Sequence, residues 1–430
     1  MSHKDTYKQM SGFMLQESIF TFLSLADVAC STALGQDSLI GINFAGSILA
    51  ILYSLRIPFS NAIRVIHSRY HGSGDNNAIK SALTSTTILT GGIAFLSVLY
   101  IVFFGRLTLQ LSALNDAQLE AAYDYLLYRI PGICGHTIGV NIARSADAQG
   151  CVGKVSKLRL CNLINIPLNL ILMQPLGAAG ISLATSLTED IELILLAIIF
   201  KPQYGRPTTK LMKEAFTYGI VYVPQRVLSR VTSLFINNWL IAFLPKGQIA
   251  TLQVVDKFNN GFYGIYNVST LWCATFAGHA YGSGGKPALC ERLGEFYHCF
   301  SRLIVTYVPI VCGLGFAYLG YIAPVEELGL AMALLAIRSA ITLPTITQSM
   351  FSNSLQVIGV FKGIATWSAI GFLIIRPMAV WVSLQLGLGI FALPVYVFFG
   401  DLPKYIYTFV CWKHSKLTIG LEAPTHEETS

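Results

Sequence analysis

Apolar residues in this chain arrive in long blocks, such as Ile88–Phe104, Ile191–Phe200 and Ile364–Ile375, and the charged residues collect between the blocks. A block of about 20 residues is the length an α-helix needs to cross the hydrocarbon core of a bilayer, where every backbone N–H and C=O must find its partner within the segment. The blocks place spans at roughly 11–33, 40–61, 80–104, 121–143, 158–175 and 178–200, and again at roughly 214–244, 250–277, 301–322, 329–351, 360–383 and 388–411. The chain therefore reads as an all-α polytopic membrane protein with twelve transmembrane helices. Composition agrees: 53% of the 430 residues are hydrophobic and 12% charged, where a soluble domain carries about 25% charged residues.

Lys and Arg set the orientation. Lys4, Arg64, Arg69, Arg144, Lys154, Lys157, Lys201, Lys210, Lys286, Lys413 and Lys416 fall on one side of the spans, and mainly Arg106, Lys246, Asp37, Asp116, Glu326 and Glu327 on the other. By the positive-inside rule both termini are cytoplasmic, in a cell inner or plasma membrane, and the first apolar segment is expected to be retained as helix one. The net charge of +7 follows from this topology, and no clustered basic face suggests nucleic acid as a partner. The partners expected are the bilayer and a small-molecule substrate, with the protein a monomer. Nine scattered cysteines form no C-x-x-C pair, so neither a disulfide framework nor a metal site is indicated. No cofactor is expected beyond a coupling ion. The Gly72–Gly74 and Gly282–Gly284 loops lack the G-K-[ST] of a phosphate-binding loop, and no H-E-x-x-H or G-x-S-x-G is present, so an enzyme is not expected.

An internal repeat divides the spans into 1–205 and 206–430, the second half ending in a short cytoplasmic tail. YHGSGDNNA at Tyr70–Ala78 answers HAYGSGGKPA at His279–Ala288, Arg129 answers Arg338, Gly150 answers Gly359, and Pro167–Gly177 answers Pro377–Gly387, all at nearly one offset. Two six-helix halves of the same orientation, enclosing a central cavity, are the architecture of alternating access.

NIARSADAQG from Asn141, NIPLN at Asn165–Asn169 and PLGAAGISLATSL at Pro175–Leu187 resemble the span-four to span-six signature of the multidrug and toxic compound extrusion (MATE) family. The resemblance extends over nearly the whole chain. It implies export of a small organic molecule coupled to H⁺ or Na⁺, and a cation site of an Asp on span one, two polar residues four apart on span five and a Thr on span six. Those positions are Asp27, Asn165, Asn169 and Thr185. Many members carry Asp where Asn169 stands, and no acid lies in spans seven or ten apart from Glu214 at the very edge of span seven, so a sodium site in the C-terminal half is not expected.

The residues themselves support the same cluster. Asp27, Asn169 and Thr185 each lie six or seven residues from the predicted outer end of a span, about 10 Å deep. Asn165 and Asn169 share one helix face, and Pro167 cannot donate to the Leu163 carbonyl, which is expected to be free for a cation. A carboxylate in a span is a functional hypothesis by default. Glu189, one turn beyond Thr185, is expected either to add a second acid or, with Asp190 and Glu192, to form a polar face along a water-filled cavity. Arg129, Arg226, Arg230 and Arg338 are candidates for the substrate cavity, for pairing with acids such as Asp256, or for snorkelling to the interface. With one acid at the Asp27 cluster, H⁺ is expected over Na⁺. The alternative function is a flippase for lipid-linked precursors, which calls for a strongly cationic cavity.

Overall fold

In a water-soluble helix the apolar residues turn inward, yet here the polar ones do. The computed structural model describes residues 3–112, 114–243, 255, 264–322, 328–360 and 362–415, and among them it contains helices and no strand. Along α8 (Ala178–Phe200) Ser182, Ser186, Thr188 and Glu192 are buried, while Ile194 and Ile198 are 56% and 61% exposed. Along α3 (Asn76–Gln110) Ser85, Thr86, Thr90 and Ser97 are buried, while Phe95 and Phe103 are 60% and 70% exposed. Such a surface is stable against lipid tails, and the small hydroxylated residues that face inward let backbones approach. Thr86, Thr90, Ser97 and Thr188 satisfy their hydroxyls by donating to the carbonyl four residues back, at 2.6–2.9 Å.

Among the described residues the helices follow the expected spans; residues 250–254 and 256–263 of the expected span 250–277 lie outside the described residues. The first three are α1 (His3–Ala33), α2 (Gln36–Gly72) and α3. Span four is two helices, α4 (Asp116–Tyr128) and α5 (Ile130–Ala148), divided at Arg129 because Pro131 occupies the first turn of α5. A capping box starts α4: the Gln118 N–H donates to Asn115 Oδ1 at 2.9 Å and the Asn115 N–H to Gln118 Oε1 at 3.2 Å. Span five is assembled from α6 (Val152–Leu158), a 3₁₀ segment (Arg159–Ile164) and α7 (Asn165–Leu176), followed by α8. The Leu163 carbonyl, expected from the sequence to be free for a cation, is not free. The 3₁₀ segment carries the tighter turn into α7, and this carbonyl accepts a backbone N–H there.

After α9 (Thr209–Phe243) the description resumes with α10 (residues 264–272), a π-turn (Cys273–Ala277) and α11 (Gly278–Ile322). The expected glycine turn in this region falls at Gly285, whose φ of +65° interrupts α11. Then come α12 (Leu328–Val357), α13 (Lys362–Ile370), a π-turn (Gly371–Ile375), α14 (Arg376–Gln385) and α15 (Ala392–His414). Lys246, Asp256, Glu326, Glu327 and Lys416 lie outside the described residues. Six of the described helical stretches are long and apolar enough to cross a membrane, including Asn76–Gln110 and Leu328–Val357.

The chain forms two compact units, Leu15–Val223 (the N-terminal unit) and Met1–Met14 with Pro224–Ser430 (the C-terminal unit). In the N-terminal unit Ala45, Leu49, Ile101, Leu126 and Ile133 build an apolar core. In the C-terminal unit Leu319, Leu334, Leu335, Val380 and Leu393 do so.

Candidate functional site

Four side chains from three helices of the N-terminal unit form one hydrogen-bonded line. Asn169 on α7 donates from Nδ2 to Asp27 Oδ1 on α1 at 2.7 Å and to Asn165 Oδ1 at 2.8 Å. Asn165 in turn donates from Nδ2 to Thr185 Oγ1 on α8 at 3.2 Å, and the Thr185 hydroxyl donates to the Ile181 carbonyl at 3.1 Å. The i, i+4 spacing puts both asparagines on one face of α7, and both are buried. The sequence-derived cluster is thus assembled in space. Two of its oxygens are uncommitted: Asn169 Oδ1 is buried with no hydrogen-bond partner, and Asp27 Oδ2 makes no hydrogen bond among the described residues. A buried amide oxygen without a donor carries a desolvation penalty that a bound proton donor or cation would remove. Hard cations draw on about six oxygens, whereas a proton needs one.

Glu189 does not join this line. Both its oxygens accept from Arg129, at 2.6 and 2.5 Å, and His136 Nδ1 on α5 lies 3.2 Å from Oε1. Glycine makes this packing possible: a Cβ on Gly132 would meet the Arg129 and Glu189 side chains, and one on Gly135 would meet Asp190. Arg129, a substrate-cavity candidate, is therefore neutralised within its own unit, though the pair lies within electrostatic range of Asp27. Asp190 makes no ion pair or hydrogen bond among the described residues. Of the other arginine candidates, Arg226 and Arg230 are exposed on α9 and Arg338 is buried on α12.

A second polar assembly in this unit was not anticipated. Gln16 on α1 donates from Nε2 to Asp147 Oδ1 at 3.4 Å and Ser156 Oγ at 3.1 Å, and accepts from Arg159 Nη1 at 2.7 Å. Asp147 Oδ2 accepts from Arg64 at 2.8 Å, and Glu192 accepts from Arg159 Nε at 3.2 Å and Asn162 Nδ2 at 2.8 Å. Arg64, counted above among the cytoplasmic charges, is buried inside the unit. Arg56 is likewise buried on α2, donating to the Ile133 carbonyl at 3.2 Å with its guanidinium 5.0 Å over the Tyr53 ring. The signal that could have found these groups is charge inside the apolar blocks, since a buried ion in lipid demands a partner. The same signal marks Arg376 and Asp401 in the C-terminal unit, paired at 3.0 Å.

Comparison with known proteins bears directly on these helices. Residues 13–171 match the family model MatE, a stretch that contains Asp27, Asn165 and Asn169. No curated protein matches the chain in sequence. Among solved structures, a MATE protein in complex with MaD3S superposes with a TM-score of 0.84 at 14% identity, covering 98% of this chain and 97% of its own. An outward-facing multidrug resistance MATE family transporter gives 0.79 at 15% identity, and a MOP superfamily transporter from Pyrococcus furiosus 0.79 at 14%, each with the same coverage. The expected architecture, twelve helices, is the fold of these transporters. Residues 13–171 match the MatE family model, and the chain has the fold of the solved MATE structures.

Proposed function

We propose that this protein is an ion-coupled secondary transporter that exports a small organic molecule by alternating access, with H⁺ as the coupling ion. The observation that carries the reading is the line Asp27–Asn169–Asn165–Thr185, set within membrane-spanning helices and holding two uncommitted oxygens. A proton on Asp27 would be accommodated without breaking any bond in that line. A bare sodium ion would have to recruit the oxygens that already accept from Asn169 and Asn165. The ion drives the cycle only if it binds the two conformations with different affinity, so substrate and proton are taken to occupy the protein alternately. The protein is taken as a monomer in a cell membrane with both termini cytoplasmic, as the Lys and Arg distribution suggests. The flippase alternative gains nothing from Arg129, whose charge is answered by Glu189.

The test is flux in proteoliposomes under separately imposed gradients. A pH gradient without sodium should drive efflux of a fluorescent dye. Strict dependence on sodium at constant pH would overturn the choice of ion, and absence of any ion-driven flux would overturn the transporter reading itself.

A further inference from the structure

Among the described residues four arginine–carboxylate pairs have both side chains no more than 15% exposed, and one of the four differs from the rest. Asp147 accepts with one oxygen from Arg64 and with the other from Gln16. Glu189 is held on both oxygens by Arg129, and Glu192 by Arg159 on one and Asn162 on the other. These three carboxylates are saturated, as a structural buried ion pair must be. Asp401 is not: Arg376 Nη2 reaches Oδ1 at 3.0 Å, and Oδ2 has no hydrogen-bond partner among the described residues. The two side chains keep 13% and 15% exposure, the highest of the four pairs.

The surroundings are arranged for this pair. Asp401 is the tenth residue of α15 and Arg376 begins α14, each about 14 Å along its helix from the connection between Gln385 and Ala392. The π-turn Gly371–Ile375 immediately precedes Arg376, and such turns recur at functional positions. Gly371 and Gly400 bring the two helices together, since a Cβ on the first would meet the Gly400 carbonyl and one on the second the Arg376 side chain. The guanidinium lies 4.1 Å over the Phe372 ring and 6.0 Å from that of Tyr396, so aromatic faces support its charge independently of Asp401. The other charged or titratable residues of the packed helices are Arg338 on α12, Lys362 on α13, and Tyr396, Lys404, Tyr405, Tyr407, Cys411, Lys413 and His414 on α15. Of the cationic ones, Arg376 alone is within salt-bridge distance of Asp401.

We infer that Asp401 is a second proton-exchanging carboxylate, carried on the C-terminal unit. Water delivers a proton to Oδ2, the carboxylate becomes a carboxylic acid, and Arg376 keeps its own proton and charge over Phe372. The reverse step returns the proton to water. This rests on the proton-coupled reading above and adds one proton to the cycle that Asp27 operates.

Stoichiometry tests it. In proteoliposomes with the membrane potential clamped to zero, the limiting gradient of ethidium per unit of pH gradient is about tenfold for one proton exchanged and about 100-fold for two. The intact protein should approach about 100-fold, and Asp401→Asn about tenfold. An unchanged ratio in folded Asp401→Asn would overturn the inference, as would a tenfold ratio in the intact protein, which decides the matter even if the variant fails to fold. The double variant Arg376→Gln/Asp401→Asn removes both charges and should also give about tenfold. Asp27→Asn separates the two readings: an undiminished ratio of about 100-fold in that variant would sink the role of Asp27, while the double variant Asp27→Asn/Asp401→Asn should show no gradient-driven accumulation.

Discussion

The Arg64–Asp147 pair predicts a large and specific loss of stability. Its side chains are 4% and 0% exposed, so Asp147→Asn leaves the Arg64 guanidinium buried opposite a neutral amide. Breaking a buried pair by removing one charge costs about 3–5 kcal/mol, mostly the penalty of the orphaned ion. The carboxylate also accepts from Gln16, which adds the loss of one hydrogen bond to a charged group, about 1.5–3 kcal/mol if nothing relaxes. That contact is long at 3.4 Å, so the lower end of the combined range is expected, about 4.5 kcal/mol. Arg106–Glu120 provides the control, because its side chains are 52% and 54% exposed and Glu120→Gln should cost under about 1 kcal/mol. The assay is reversible denaturant unfolding in detergent micelles, followed by circular dichroism, of Asp147→Asn, Glu120→Gln and the double variant Arg64→Met/Asp147→Leu. The double variant should recover most of the loss, since it buries no charge. Equal, small effects of Asp147→Asn and Glu120→Gln would refute the claim that the buried assembly braces this unit.

Three further outcomes are expected. Asp27→Asn should insert and bind substrate but lose gradient-driven efflux, measured in proteoliposomes, and normal efflux would remove Asp27 from the mechanism. Glu189→Gln should weaken pH-driven efflux less than Asp27→Asn does while lowering stability by about 3 kcal/mol, because Arg129 loses its counter-charge; a variant as stable as the parent would contradict the pairing seen here. A cysteine introduced at Ser73, on the loop before α3, should stay unlabelled by an impermeant thiol reagent applied outside cells, and labelling from outside would reverse the orientation.

The apolar blocks located the helices well because span length is imposed by the bilayer and needs no knowledge of neighbours. The expected 178–200 span is α8 to the residue, and the expected break-free span four is divided at Arg129 by the fixed geometry of Pro131. The Asp27 cluster was legible for a similar reason. Asn165 and Asn169 are four apart on one helix, and equal depth brings Asp27 and Thr185 to their level. What spacing could not give is which helix faces which. Arg129 and Glu189 are 60 residues apart, and Gln16 and Arg159 are 143 apart; their pairing depends on packing between helices, and on glycines at 132 and 135 whose role appears only once α5 meets α8.

The pairings also sharpen where chemistry can reside. A carboxylate inside a membrane protein must be paired, protonated or exposed to water, and the described helices sort their acids accordingly. Asp147, Glu189 and Glu192 are each saturated, so changing their protonation means breaking an ion pair and at least one further hydrogen bond. Asp27 has no arginine partner, one amide donor and an open oxygen, so its protonation breaks nothing. The acids most exposed to titration are thus those with the fewest partners, and on α8 that places Asp190 rather than Glu189 next to Asp27 in order of freedom. Asp190→Asn should accordingly alter the pH dependence of efflux more than Glu192→Gln does in those molecules that fold. Purified variants compared over a range of external pH would decide it, and a larger shift from Glu192→Gln would show that pairing with arginine does not silence a carboxylate in this bundle.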